Sequence, residues 1–224
     1  MSDIADKLSL VRERIDAAAR KSGRSGSDIT LVAVTKTRPV DEIREAVACG
    51  VTDIGENYVQ ETEAKYAEVG DCVRWHMIGH LQRNKAKHAV ELFDLIHSVD
   101  SEQLAVEIGR RAEAIGKRQD VLIEVAVSGE ATKFGAQPEE VVRLADEISN
   151  VRGVRLCGLM GMAPFLANPE ETRPYFAKLR ESWNGLPEEQ RLYLSMGMTQ
   201  DFEIAIEEGS NMVRVGTAIF GPRA

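Results

Sequence analysis

Apolar positions follow two different periods along this chain. Ile4, Leu8, Val11 and Ile15 recur every three or four residues, which places them on one face of a helix over residues 1–21. After a Gly- and Ser-rich loop at 22–28 the pattern becomes a series of short, nearly continuous apolar runs. These are Thr30–Lys36, Thr52–Gly55, Arg74–Gly79, Leu95–Val99, Asp120–Val127, Val154–Met162, Leu192–Met196 and Met212–Gly216. Runs of this length without polar alternation fit strands buried on both faces, as in a parallel sheet. Helical spacing separates them at Pro39–Cys49, Asn57–Val69, Asn84–Glu91, Ser101–Ile115, Pro138–Ser149, Pro169–Trp183 and Thr199–Glu208. Three starts carry capping signals: Asp100 before Gln103, Asn168 before Pro169 and Glu171, and Pro138 backed by Glu139 and Glu140.

Eight strands alternating with seven helices, and one further helix in front, predict an α/β fold: a single-domain (β/α)8 TIM barrel with an additional N-terminal helix, spanning 1–224. A doubly wound open sheet is the alternative. Against it, no G-x-G-x-x-G follows the first strand and no G-x-x-x-x-G-K occurs. No Pro-, Gly- or Ser-rich linker divides the chain.

Composition narrows the function classes. A hydrophobic fraction of 43% supports a sizeable core, and 29% charged residues suit a solvated surface. The net charge is −8 with no basic block, which argues against a nucleic-acid surface. No apolar run is long enough for a membrane span, and the charged N-terminus is not a signal peptide. Cys49, Cys72 and Cys157 are isolated, as expected of buried thiols in a reducing cytoplasm. His76, His80, His88 and His97 show no metal-binding spacing.

Chemistry gathers where the predicted strands end, the face on which such barrels handle ligands. Lys36 closes the first run, with Val32 and Val34 on its face. A desolvated lysine loses its proton more readily and can attack a carbonyl, although a lysine there can also simply reach into water. Ser195 and Gly197 follow the seventh run, and Gly216 and Thr217 follow the eighth. Loops at these two places commonly cradle phosphate on backbone N–H groups. Arg214 shares a strand face with Met212 and Gly216, so it points toward the barrel mouth. There it would meet a ligand acceptor, or else a structural carboxylate such as Glu56 or Asp53. An amine opposite a phosphate cradle suits a phosphorylated aldehyde. The residues alone leave open whether that is a sugar phosphate or pyridoxal 5′-phosphate (PLP).

Longer motifs carry a resemblance. They are Ala33–Thr37, Gly55–Glu61, Trp75–Lys85, Gly158–Met162, Ser195–Asp201 and Val213–Gly221, in that order along essentially the whole chain. In them the sequence resembles the PLP homeostasis proteins (PLP-binding proteins), which share the barrel of the N-terminal domain of alanine racemase, the type III PLP fold. The resemblance implies that Lys36 holds PLP as an internal aldimine, with Asn57 beside the cofactor. It implies that Ser195, Gly216 and Thr217 take the phosphate and that Arg214 faces the pyridine nitrogen. Lys133 matches a lysine the family often carries in the loop after strand five. His80 and Arg38 depart from the residues many members have.

An arginine cannot give up its proton at neutral pH, so the pyridine would stay unprotonated and be a poor electron sink for carbanion chemistry. The expected function is therefore intracellular PLP (vitamin B6) homeostasis, as a buffer or carrier without turnover. The protein is expected to be a cytoplasmic monomer, with apo PLP-dependent enzymes as partners and no nucleic acid or membrane. A PLP-dependent amino acid racemase is the alternative. It needs a second base, and none of Tyr58, Tyr66, Tyr175 and Tyr193 lies in a stretch matching the catalytic tyrosine of alanine racemase. The chain ends seven residues after Thr217, so the second domain of alanine racemase is not expected. A Schiff-base aldolase acting on a sugar phosphate is the third reading.

Overall fold

In the computed structural model, which describes residues 3–128 and 134–222, the apolar runs close on themselves. Strands β1 (Thr30–Val34), β2 (Asp53–Glu56), β3 (Arg74–Met77), β4 (Leu95–Val99), β5 (Gln119–Val125), β6 (Val154–Gly161), β7 (Tyr193–Ser195) and β8 (Met212–Val215) form one closed barrel in chain order. All neighbours are parallel, and β1 returns to β8 with Val32 beside Arg214. A (β/α)8 barrel was the expectation, and it is what the chain forms.

The helices are α1 (Asp3–Lys21), α2 (Val40–Ala48), α3 (Val59–Val69), α4 (Ala86–Leu92), α5 (Glu102–Ala114), α6 (Val141–Ser149), α7 (Arg173–Asn184), α8 (Phe202–Glu207) and α9 (Thr217–Phe220). Helix α1 buries Ile4, Leu8, Val11 and Ile15, the stripe its sequence shows, against α2, α8 and α9. The last helix, α9, has four residues, too few to reveal a period of 3.6 in sequence.

Most strands are shorter than their apolar runs, because the ladder ends at the barrel rim while the run continues into the loop. The difference matters most at β1, which stops at Val34 and leaves Lys36 in the following turn. Helix α8 starts at Phe202 instead of Thr199, because Asp201 Oδ1 accepts the Met198 N–H at 2.7 Å and folds Met198–Asp201 into a turn. The capping signals divide. Asn168 accepts from the Glu170 N–H as expected. Asp100, by contrast, does not cap α5: Ser101 holds that position, and its hydroxyl donates to Asp100 Oδ1 at 2.9 Å.

Alternation along the strands gives the sheet two different faces. The outer face, with Ala33, Ile54, Trp75, Met77, Ile96, Ile123, Leu194 and Val213, packs on the helices in one continuous apolar layer. Inside the barrel a smaller cluster of Val32, Leu95, Leu122, Cys157, Met160 and Met212 fills part of the lumen. The rest of the lumen is polar.

Candidate functional site at the carboxyl rim

The β1–α2 turn presents Lys36 between two residues that are anchored from behind. Thr35 is buried and its hydroxyl donates to Glu56 Oε1 at 2.6 Å. The ammonium of Lys65, on α3, donates to the Thr35 carbonyl at 2.6 Å, to Glu56 Oε1 at 2.6 Å and to Glu61 Oε1 at 2.7 Å. Glu61 in turn accepts the Thr37 N–H at 2.5 Å. Thr37 has φ +64°, a left-handed conformation that a β-branched residue adopts only when its surroundings impose it. Burial pushes the Glu56 carboxyl up, against the opposing pull of Lys65 and Thr35. Arg38 closes the other side by donating to the Gly221 and Pro222 carbonyls, so the turn is tied to the end of α9.

Half-buried Lys36 lines a cavity of about 360 Å³ together with Arg214, Thr199, Gly216, Thr217 and, as an apolar wall, Val34 and Phe165. Phe165 is 83% exposed, so the wall it forms is open to solvent. The Thr199 hydroxyl accepts the Ala218 N–H at 3.4 Å, which sets it at the start of α9 beside Gly216 and Thr217. Gly216 admits no side chain without crowding, since a Cβ there would lie 3.2 Å from the Val34 carbonyl. Gly197, at φ +93°, is required for a different reason than anion approach. A Cβ would sit 2.6 Å from that of Ala205, so the glycine is what lets α8 pack under the loop.

Arg214 is 3% exposed, and its guanidinium donates to Ser195 Oγ at 2.6 Å and to the Gly161 carbonyl at 3.0 Å. Burial lowers its pKa to about 10, which leaves it charged at neutral pH, and Glu124 and Asp201 lie close enough to oppose the shift. Neither Glu56 nor Asp53 is its partner: Glu56 is held by Lys65, and Asp53 by His76 and Thr52. Glu124 stands on β5 on the lumen face, two residues after Leu122, and burial lifts its carboxyl to about 7.

The cavity brings together Lys36, Arg214, Gly216 and Thr217, four of the six residues expected from sequence. Ser195 does not line it; its side chain is fully buried beneath Arg214 in the lumen. Asn57 lines a neighbouring hollow of about 340 Å³ with His80, Gln82 and Lys85. Its Oδ1 is buried there without a hydrogen-bond partner among the described residues. Lys133 lies outside the described residues. Thr199 was not singled out from sequence, although it sits inside the Ser195–Asp201 motif. Only the turn before α8 brings its hydroxyl to the cavity.

A closed parallel barrel of this kind is shared with known proteins. The family described as alanine racemase, N-terminal domain, matches residues 7–224. Within it the chain is similar to the pyridoxal phosphate homeostasis protein of Aquifex aeolicus, 46% identical over 222 residues and 97% of each chain. It is also similar to PipY of Synechococcus elongatus, 37% identical over 97% of this chain and 100% of that one. The structures of PipY without PLP and with PLP bound superpose with TM-scores of 0.86 and 0.84. Alanine racemase of Clostridium difficile, 19% identical with a TM-score of 0.74, shares the fold over 57% of its own length. The chain belongs to the alanine racemase N-terminal domain family and, within it, to the pyridoxal phosphate homeostasis proteins.

Proposed function

We propose that this protein binds pyridoxal 5′-phosphate covalently at Lys36 and takes part in intracellular PLP homeostasis as a buffer or carrier without turnover. The observation that carries this reading is the shared cavity. One primary amine, one buried cation and two hydroxyls beside the short helix α9 line a single space with an apolar wall. They match, in kind, the aldehyde, ring nitrogen, phosphate and ring of the cofactor. PLP, when bound, supplies an aldehyde that condenses with a primary amine and a ring that can accept electrons.

Lys36 offers the amine, and the Thr35–Lys65–Glu61–Thr37 clamp fixes where it points. Thr217, the backbone at Gly216 and, from the geometry, Thr199 hold the phosphate. Ser195 was expected as a third phosphate group, but its position under Arg214 suits support of the guanidinium better. Asn57 borders the site from the neighbouring hollow, where its unpartnered oxygen can accept a donor. Arg214 can donate to the ring nitrogen but not protonate it, so the ring is held in its weaker electron-accepting form. The exposed wall at Phe165 leaves that side of the cavity wet, and racemisation depends on excluding water. Both features support a carrier over a racemase. The likeness to alanine racemase is one of fold.

Apo PLP-dependent enzymes are the proposed recipients, the cytoplasm the proposed compartment and a monomer the proposed state. No helix among the described residues is long and apolar enough to cross a membrane.

The test loads the purified protein with PLP, fixes it with borohydride and maps the attachment. Visible absorbance and label on Lys36, both absent in Lys36→Ala, are expected. A colourless protein that borohydride does not label would refute the reading. Incubation with D- and L-amino acids in deuterated water separates the alternative: α-proton exchange at enzymatic rates would make the protein a racemase.

A further inference from the structure

Five side chains from five strands join end to end inside the barrel. Arg214 Nη1 lies 2.6 Å from Ser195 Oγ, and Ser195 Oγ lies 3.1 Å from His97 Nδ1. His97 Nε2 lies 2.9 Å from His76 Nδ1, and His76 Nε2 lies 2.9 Å from Asp53 Oδ1. The series runs from β8 through β7, β4 and β3 to β2, and all five residues are buried. Asp53 ends it near the opposite rim, where its Oδ2 accepts from Thr52 at 2.7 Å and Arg74 stands 3.6 Å away.

The two ends fix where every proton sits. A guanidinium only donates and an ionised carboxylate only accepts, while a neutral imidazole does one of each. Asp53 therefore takes the Nε2–H of His76, which leaves Nδ1 of His76 bare. That nitrogen can accept only the Nε2–H of His97, so Nδ1 of His97 is bare as well. Ser195 must fill it with its hydroxyl proton, and the Ser195 oxygen is left to accept from Arg214. Reversing the direction with neutral imidazoles would set the Asp53 carboxylate against a bare nitrogen at 2.9 Å. Burial keeps both imidazoles below the usual histidine pKa, the more so for His97, which also feels His76 and Arg214. In Asp53 burial pushes the carboxyl up, but the bonds from His76 and Thr52 outweigh it and leave it below its ordinary value.

We propose that Asp53, His76, His97 and Ser195 are positioning residues for Arg214, forming one directional hydrogen-bond chain that aims the guanidinium at the cavity. The inference rests on the reading of Arg214 as the group facing the cofactor ring. It has a second consequence: the Ser195 proton is committed to His97, so Ser195 has none to offer a phosphate, and that role falls to Thr199 and Thr217. Asp53 thus acts on the site from the far end of the barrel without touching a ligand.

The chain can be read without any cofactor, by ¹⁵N NMR of histidine-labelled, PLP-free protein. Both His76 and His97 are expected as neutral Nε2–H tautomers at pH 7. Either one as the Nδ1–H tautomer, or charged at that pH, overturns the chain whether or not the protein binds PLP. Asp53→Leu removes the terminal acceptor. In that variant the uniform Nε2–H pattern is expected to be lost and the Kd for PLP to rise about tenfold, as for one hydrogen bond to a charged group. Label on Lys36 should survive. An unchanged Kd in a folded Asp53→Leu protein overturns the positioning role. Should that variant not fold, Asp53→Asn keeps an accepting oxygen and is expected to retain both tautomers and the wild-type Kd; a tenfold loss there would equally overturn it.

Discussion

The two faces of one sheet do different work in this molecule. Outward, Trp75, Ile96, Ile123 and Val213 meet the helices in an apolar layer, broken near the carboxyl rim by Glu56 of β2 paired with Lys65 of α3. Inward, Val32, Leu95, Leu122 and Met212 fill only part of the space, and Asp53, His76, His97, Ser195, Arg214 and Glu124 occupy the rest. Burying a polar group without a partner costs a few kcal/mol, so the lumen is tolerable only because its members answer one another. Away from that pair, the outer face can be built from any residues that pack. The inner face constrains identity, since Asp53, His76, His97, Ser195 and Arg214 each hydrogen-bond the next.

Four changes would sharpen or break this contrast. The largest loss is expected for Phe176→Ala on α7, which empties a fully buried site between helices and sheet. It should cost about 3–5 kcal/mol in denaturant unfolding while the PLP Kd stays put. A comparable loss, about 3 kcal/mol or more, is expected for Lys65→Met, because it leaves buried Glu56 without its cation. Unlike the first, this variant should also load PLP poorly, since the turn bearing Lys36 loses its clamp. Normal loading would separate the clamp from the site.

Glu124 tests the lumen by pH. Its carboxyl is lifted to about 7 in the folded protein, so its contribution is fully present below the ordinary carboxylate range and is lost as pH rises through 7. Cofactor-free protein should therefore lose up to about 3 kcal/mol of stability on this account as pH is raised from 4 to 8, from 1.36 kcal/mol per pKa unit. Glu124→Gln should flatten that slope; an unchanged slope would show that the group is not responsible. The smallest effect is expected for Met212→Leu in the apolar part of the lumen, under about 1.5 kcal/mol by thermal melt and with no change in PLP binding.

Much of this could be read from the chain. The outer face needs only apolar character at the right period, so strand and helix order, and with them the barrel, follow from hydrophobic spacing. That Lys36, Gly216 and Thr217 line one cavity was legible because position after a strand is itself the signal in such a barrel. Strand ends were not, since an apolar run does not say where the ladder stops; that is why Lys36 belongs to a turn instead of to β1. That Ser195 lies outside the cavity was not legible, for a related reason. It ends a strand at the correct rim, yet its side chain points down the lumen to His97, while Thr199, four residues later, reaches the cavity.

By itself, then, the sequence determined the barrel, the rim on which the proposed site sits and the lysine that lines it, because local periodicity and chain order suffice for these. The tertiary structure alone decided that Asp53, His76, His97, Ser195 and Arg214 form one line. They lie on five strands spread over more than 160 positions, and only closure of the sheet brings them within hydrogen-bond reach. Pairwise contacts of that kind leave no period in the chain, since each is set by the register between strands and by the curvature that closes the barrel.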